Sequence, residues 1–296
     1  MRILISGASG LIGKALSEYF QNKGYDILLL QRKDPAIKPY WNIEKQIITF
    51  NQDDQIDVVI HLAGESIFEG RWNQNKKERI LKSRIEGTKL LSEYFSRIEN
   101  KPKVFISCSA IGFYGHRENK ILSESSKKGL GFLSDVCQEW ENATSIAVQS
   151  KIRVVNIRLG MVLSEKGGAL QKMILPFKMG LGGIIGNGKQ YISWISIFDL
   201  LNAINHILEN NTIEGPINIV TPNPVTNYEF TKTLGKVLHR PTILPLPALL
   251  AKIIFGEMAK ELLLSSTRVM PEKLKSSGFQ FQYPKLEKAL IKCLTS

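Results

Sequence analysis

The 296-residue chain has only three cysteines, Cys108, Cys137 and Cys293, spread too widely for the paired spacing of a metal site. No metal is expected, and three lone thiols suit a reducing, cytoplasmic setting. Long hydrophobic runs are also missing. The most apolar stretch, Ile243–Leu264, is interrupted by Pro245, Pro247, Lys252, Gly256, Glu257, Lys260 and Glu261, which excludes a membrane span. The N-terminal apolar run is only a few residues long and enters a glycine loop directly, unlike a signal peptide. The formal charge of +12 raises the question of nucleic acid. However, the chain has no zinc-finger pattern and no basic strand interleaved with aromatics. Its densest basic run, Lys76 to Arg84, alternates with Ile80, Leu81 and Ile85 at helical spacing and reads as a solvated helix face. Neither nucleic acid nor membrane is expected as a partner.

What the chain does have is a core and a phosphate cradle. With 43% hydrophobic residues it suits one large domain, or a main domain with a smaller lobe. Residues 1–13, MRILISGASGLIG, run from an apolar strand into Gly7, Gly10 and Gly13 and then into a helix over 11–24. Small residues let the backbone turn and approach a pyrophosphate, while the helix aims free N–H groups at it. The spacing is GxxGxxG, so the order strand, loop, helix carries more weight than the glycines do. A second strand, 26–31, ends at Gln31-Arg32-Lys33, where an acidic residue would meet a free ribose 2′-OH and an arginine the 2′-phosphate. Arg32 and Lys33 therefore point to NADP(H); otherwise they are two solvated charges entering a loop.

Further strands are expected at 46–50, 56–62, 103–109, 153–158 and 217–220, with helices at 73–97, 132–149 and 228–238, and a strand-turn-helix over 195–209 with Asp199 as the N-cap. More helix is expected around 171–179, within 248–264 and near 284–294. This alternation gives an α/β chain, a Rossmann-type doubly wound parallel sheet with a smaller, mostly helical C-terminal substrate lobe. The assigned domains are residues 1–165 and 190–220 for the NADP-binding part, and 166–189 and 221–296 for the lobe. Ala63 and Gly64, after the third sheet strand, are small enough to admit a cofactor.

GASGLIG, Arg32, HLAG at 61–64 and SCSAIGFYG at 107–115 together resemble the extended branch of the short-chain dehydrogenase/reductase superfamily, which includes NAD(P)-dependent epimerases and dehydratases. Glu65, Arg71-Trp72, Leu175-Pro176-Phe177, Gly180–Gly183 and Ser193–Ile195 are similar to an atypical subgroup that ends in a small domain of unknown function. The resemblance implies a cofactor site at Gly7, Ser9, Gly10, Leu11, Ile12, Gly13, Arg32, Lys33, Leu62, Ala63 and Gly64, with Leu159 near the nicotinamide. It also implies a serine, here Ser109, that steadies the substrate oxygen.

Such enzymes move the accompanying proton with a tyrosine and a lysine four residues on. The corresponding segment here is GFLSDVCQEWENA, with Leu133 or Phe132 in place of the tyrosine and Cys137 or Val136 in place of the lysine. Tyr114 is a candidate replacement phenol, or else it shapes the pocket. Arg84 stands where the family has an asparagine; it reads either as a cofactor contact or as a surface charge of the helix. Glu65, Trp72 and Trp194 are candidate substrate residues, each with an ordinary alternative in solvent or core. His61 reads as packing at a strand end, and Cys137 as an inert helix thiol. The chain thus reads as an NADP(H)-binding oxidoreductase or epimerase-like protein acting on an unidentified small molecule. Two alternatives stand beside it: a catalytically silent NADP(H)-sensing or partner-binding protein, and a sugar-nucleotide epimerase or dehydratase. Oligomerisation is left open.

Overall fold

Six strands share one period-two pattern in which both faces are apolar, as expected of a sheet covered on both sides. In the computed structural model, which describes residues 1–51 and 54–295, these are β1 (Arg2–Ser6), β2 (Asp26–Leu30), β3 (Val58–His61), β4 (Val104–Ala110), β5 (Arg153–Leu159) and β6 (Gly215–Ile219). They form a parallel sheet in the order β2-β1-β3-β4-β5-β6. Ile3, Ile5, Val58, Ile60, Val104, Ile106, Val155 and Ile157 point to one face and Leu4, Val59, Phe105 and Val154 to the other. Each such buried aliphatic side chain contributes about 1.5–3 kcal/mol relative to exposure.

The first face is covered by α1 (Leu11–Asn22) through Leu16 and Phe20, and the second by α2 (Gln74–Arg97) through Leu90, Leu91 and Phe95. The chain leaves β1 toward β2 on one side and later adds β3 on the other. That reversal opens a crevice beyond the carboxyl ends of β1 and β3, where ligands of such sheets lie.

Four expectations are corrected. The strand expected at 46–50 shortens to Ile47–Thr49 and pairs antiparallel with Tyr40–Asn42, outside the sheet. The helix expected over 132–149 breaks into α3 (Phe132–Asn142) and α4 (Ser145–Gln149). At the break the Thr144 hydroxyl donates to the Glu141 carbonyl at 2.7 Å, the local bonding by which threonine competes with helix backbone. Beyond α5 (Gly168–Lys178), the cap of α6 (Ile197–Glu209) is Ser196 and not Asp199. Asp199 lies three residues inside, buried, and its carboxylate accepts from the Gln282 and Tyr283 amides at 2.7 and 3.0 Å. It fastens the C-terminal segment to α6.

The fourth correction is in the lobe. After α7 (Asn227–Val237), which opens on a Thr226–Glu229 capping box, the helix expected within 248–264 becomes α8 (Ala248–Phe255) and a separate π-helical turn at Ala259–Leu263. They part at Gly256, whose φ of 62° favours glycine. α9 (Glu272–Ser276) and α10 (Leu286–Leu294) complete the chain. Phe230, Leu234, Leu274, Leu286 and Leu290 from these helices join the same hydrophobic cluster as the sheet.

Candidate functional site

The turn between β1 and α1 is packed so tightly that glycine is required at both ends. A Cβ on Gly7, whose φ is +72°, would lie 2.8 Å from the Ala63 nitrogen, and one on Gly13 would lie 2.4 Å from the Gly7 carbonyl oxygen. These contacts are with backbone, which cannot swing aside. Gly10, between them, is exposed and caps α1 without any side-chain hydrogen bond. Ser9 is exposed beside it, and Leu11 leans on Gly167 and Gly168 while Ile12 packs toward the core. The first-turn N–H groups of α1 therefore face the crevice, an arrangement suited to an anion. Leu62 and Ala63 form the floor: the Leu62 amide donates to the Ser6 carbonyl at 3.2 Å, and its backbone touches Gly7.

Arg32 and Lys33 follow β2 on the other side of this crevice. Gln31 shapes their loop, accepting from the Lys33 and Asp34 amides at 2.7 and 3.0 Å and donating to the Asp34 and Ile37 carbonyls. Both basic side chains are exposed and hold no ion pair or hydrogen bond among the described residues. They are free to meet a phosphate.

Arg84 is not a charge on the helix surface. It reaches from α2 across to Gly64, and its guanidinium lies so close that a Cβ there would be 3.2 Å from Cζ. One nitrogen donates to the Glu65 and Ile80 carbonyls at 3.0 Å each, and the group sits 5.0 Å from the Trp140 ring centre. Burial lowers its pKa from the usual arginine range. The neighbouring Glu65 carboxylate is tied to Lys76 at 2.7 Å and Arg79 at 3.5 Å, and the Lys76 hydrogen bond holds its pKa below the ordinary value. His61 is fully buried, with Nδ1 2.6 Å from the Ser6 hydroxyl; burial and Arg84 push its pKa down to about 3, so it is neutral.

Ser109 opens onto a buried polar chain that sequence reasoning missed. Its hydroxyl donates to Glu141 at 2.7 Å; the same carboxylate takes two bonds from the Arg158 guanidinium at 2.8 Å each. Arg158 then donates to the Tyr114 hydroxyl at 2.9 Å, which donates to Asn218 at 2.7 Å. The Arg158 and Glu141 side chains are only 4% and 10% exposed. Burial works against the Arg158 charge, but the Glu141 hydrogen bonds and charge outweigh it and raise the pKa. In Tyr114, burial raises the phenol pKa despite the opposing pull of Arg158. With both hydroxyl partners inside the protein and no exposed surface, Tyr114 is placed as a packing group and not as a replacement phenol. Glu141 carried no signal of its own in the sequence, because a glutamate in a QEWEN segment reads as solvated.

Leu159 ends β5 and is half-buried at the crevice side. The two candidate tryptophans, Trp72 and Trp194, are both buried in hydrophobic clusters. Trp194 is fully buried in the main core with its indole N–H on the Asn223 carbonyl at 3.0 Å. Trp72 packs against Ile80, Leu133 and Val136, its N–H on the Ile67 carbonyl at 2.9 Å. Burial pushes the Cys108 and Cys137 thiols up to about 12, which leaves them unreactive. No cluster able to hold a metal ion occurs among the described residues, and none of their helices is long and apolar enough to cross a membrane.

Two cavities accompany these groups. One of about 520 Å³, near Phe50, Asp54, Tyr94 and Glu99, lies at the amino ends of the strands, away from the glycine turn. The other, about 460 Å³, includes Gly112 and Leu133 just past the carboxyl end of β4 and is the one on the ligand side of the sheet.

Comparison with known proteins agrees with this geometry. Residues 3–220 match the NAD dependent epimerase/dehydratase family, and residues 246–292 match a domain of unknown function, DUF1731. The chain is 34% identical over 293 residues to human epimerase family protein SDR39U1, covering 98% of each chain. It is 37% identical over 297 residues to epimerase family protein YfhF of Bacillus subtilis, covering 98% of this chain and 97% of that one. Among solved structures, human SDR39U1 (isoform 2) with NADPH superposes with a TM-score of 0.91 at 32% identity over the whole of both chains. A nucleoside-diphosphate sugar epimerase from Corynebacterium glutamicum gives 0.80 at 34% identity, covering 98% of this chain and 57% of that one.

Proposed function

The chain belongs to the NAD dependent epimerase/dehydratase family, and from that premise we propose that it is an NADP(H)-binding oxidoreductase or epimerase-like protein acting on a small molecule. The observation that carries the reading is the glycine turn, whose tight ends and open, uncapped middle fit a pyrophosphate. The unpaired Arg32 and Lys33 suit a 2′-phosphate. Human SDR39U1, whose crystal structure is with NADPH, supports the same cofactor. Bound NADP(H) gives or takes a hydride.

The chain's own residues hold and orient. Gly7–Gly13 fix the diphosphate, and Leu62–Gly64 and Leu159 line the crevice. Arg84, already pinned at Gly64, would set a fixed charge beside a cofactor lying over that segment. Ser109 is buried and gives its one proton to Glu141, so steadying a substrate oxygen would require that hydrogen bond to be exchanged. A fluorescence titration with NADPH tests the proposal: the parent protein saturates, whereas Gly13→Ala, with its Cβ forced onto the Gly7 carbonyl, does not. Equal binding by the two would sink it.

A second reading is favoured by one specific feature: neither Tyr114 nor the positions where the family carries its tyrosine and lysine offer a free phenol. Tyr114 is buried and doubly bonded, and positions 133 and 137 hold a leucine and an inert thiol. A protein that binds NADP(H) as a sensor and does no chemistry fits those residues. Single-turnover oxidation of bound NADPH by any member of a broad panel of aldehydes, ketones and quinones favours the enzyme; tight binding without oxidation favours the sensor. A cytoplasmic setting, with three unpaired thiols, accords with both.

A further inference from the structure

The stretch 243–264, the most apolar of the chain, leaves much of its apolar surface uncovered in the folded lobe. In α8 the packed side is Ala251, fully buried, with Ala248 and Phe255 half-buried beside it. Leu249, Leu250, Ile253 and Ile254 fall on the opposite side of the helix. They are 44–71% exposed, and none of the four lines the cavity past β4, although Lys252 does.

The apolar face continues beyond the helix. Ile243 and Leu244, just before it, are exposed, and so are Leu175 and Met179 at the end of α5. Hydrogen bonds hold these pieces together: the Leu246 amide donates to the Ile184 carbonyl at 2.8 Å, the Gly186 amide to the Leu246 carbonyl at 2.9 Å, and Arg240 Nε to the Lys178 carbonyl at 2.9 Å. Apolar side chains at that exposure present roughly several hundred Å² together, a size at which a patch on a monomer is often functional.

The net charge is gathered in the same part of the chain. Residues 166–189 and 221–296 hold 15 lysines and arginines against 5 glutamates and no aspartate, or +10, leaving +2 of the formal +12 for the rest. Lys178 and Lys252, next to the apolar positions on α5 and α8, are exposed and have no carboxylate partner among the described residues. The two acids of the stretch 243–264 are turned to the sheet domain: Glu257 pairs with Lys77 of α2 at 2.9 Å, and Glu261 accepts from the Leu133 amide of α3 at 3.4 Å.

Such a face calls for a partner that is apolar and negative at once. A second copy would set +10 against +10, and a nucleic acid would meet the charge but leave the aliphatic side chains in water. The interface of an anionic bilayer meets both, because apolar side chains enter the boundary between headgroups and acyl chains while lysines stay with the headgroups. The polar residues that exclude a membrane span from this stretch do not bear on it, since lying on a surface needs only one apolar face. We infer that the C-terminal lobe docks on an anionic lipid surface through α8 and the adjoining ends of 175–179 and 243–244, with Lys178 and Lys252 at the headgroups. The inference is independent of the cofactor reading.

The test is flotation of the full chain with vesicles of phosphatidylglycerol and phosphatidylcholine in equal parts, and with vesicles of phosphatidylcholine alone. The protein floats with the first and not with the second, and the bound fraction falls as salt is raised. Leu249→Asn combined with Ile253→Asn, both exposed positions, lowers the affinity about tenfold or more. Lys178→Gln combined with Lys252→Gln lowers it about tenfold or more as well. Thermal midpoints followed by circular dichroism stay at the parent value in both. Absence of binding to the anionic vesicles overturns the inference. So does binding that the lysine changes weaken and the asparagine changes do not, which is charge adsorption without a docking face. A dimer in sedimentation equilibrium that Leu249→Asn with Ile253→Asn breaks assigns the face to a second copy and overturns it too.

Discussion

Glu141→Gln removes one charge from the buried pair while keeping nearly the same shape. The carboxylate accepts three hydrogen bonds, one from Ser109 at 2.7 Å and two from Arg158 at 2.8 Å. A glutamine keeps one acceptor oxygen and sets an NH2 group against donors on the other side. Arg158, 4% exposed, is then a buried cation without its counter-charge. Breaking such a pair from one side costs about 3–5 kcal/mol. At roughly 2 °C per kcal/mol for a chain of this size, the thermal midpoint falls by about 6–10 °C. Thermal and urea unfolding followed by circular dichroism measure it. The double variant Glu141→Leu with Arg158→Leu leaves no buried charge unpaired and is less destabilised than Glu141→Gln alone. A Glu141→Gln midpoint within about 1 °C of the parent would refute the claim that the pair is buried and mutually dependent.

His61 makes stability depend on pH. Its pKa is about 3 in the folded chain against 6.5 unfolded, so below 6.5 the unfolded state takes up a proton that the native state refuses. Stability falls as pH drops from 6.5 toward 3, with a slope approaching about 1.4 kcal/mol per pH unit, and His61→Gln loses that slope. Urea denaturation at pH 6.0 and 4.5 checks it; identical slopes in both proteins would count against a neutral buried imidazole. Cys137 and Cys293, both buried and with thiols pushed up to about 12 and 11, react with an aromatic disulfide reagent at pH 8 only after unfolding. A fast reaction of either thiol in the native state would contradict their burial. Arg84→Ala weakens NADPH binding without changing Gly64; an unaltered affinity would leave Arg84 as a clamp between α2 and the Gly64 loop.

The sheet was legible because its signal is local and repeated. Short β-branched runs such as IDVVIHL must be covered on both faces, and glycines after the first strand sit where only glycine fits. The glycine turn was legible for the same reason: it needs one residue type at one place. What could not be read depends on distant partners. Nothing in the order of residues says that Glu141 meets Ser109 and Arg158, or that Glu261 crosses from the lobe to α3. The pattern of aromatic residues cannot tell a pocket wall from a core, so Trp194 and Trp72 were open to either reading until packing placed them inside. Asp199 shows the same limit. It lies at a helix start, but its carboxylate serves amides 83 and 84 positions away.

The central claim is that this crevice is built for NADP(H), and the most direct measurement is calorimetry of NADPH and NADH with the parent and with Arg32→Asp. The parent binds NADPH more tightly than NADH. Loss of a charge-assisted contact of about 1.5–3 kcal/mol weakens NADPH by roughly 10- to 100-fold in the variant, with NADH little changed. Equal losses for the two cofactors, or no preference in the parent, would contradict it.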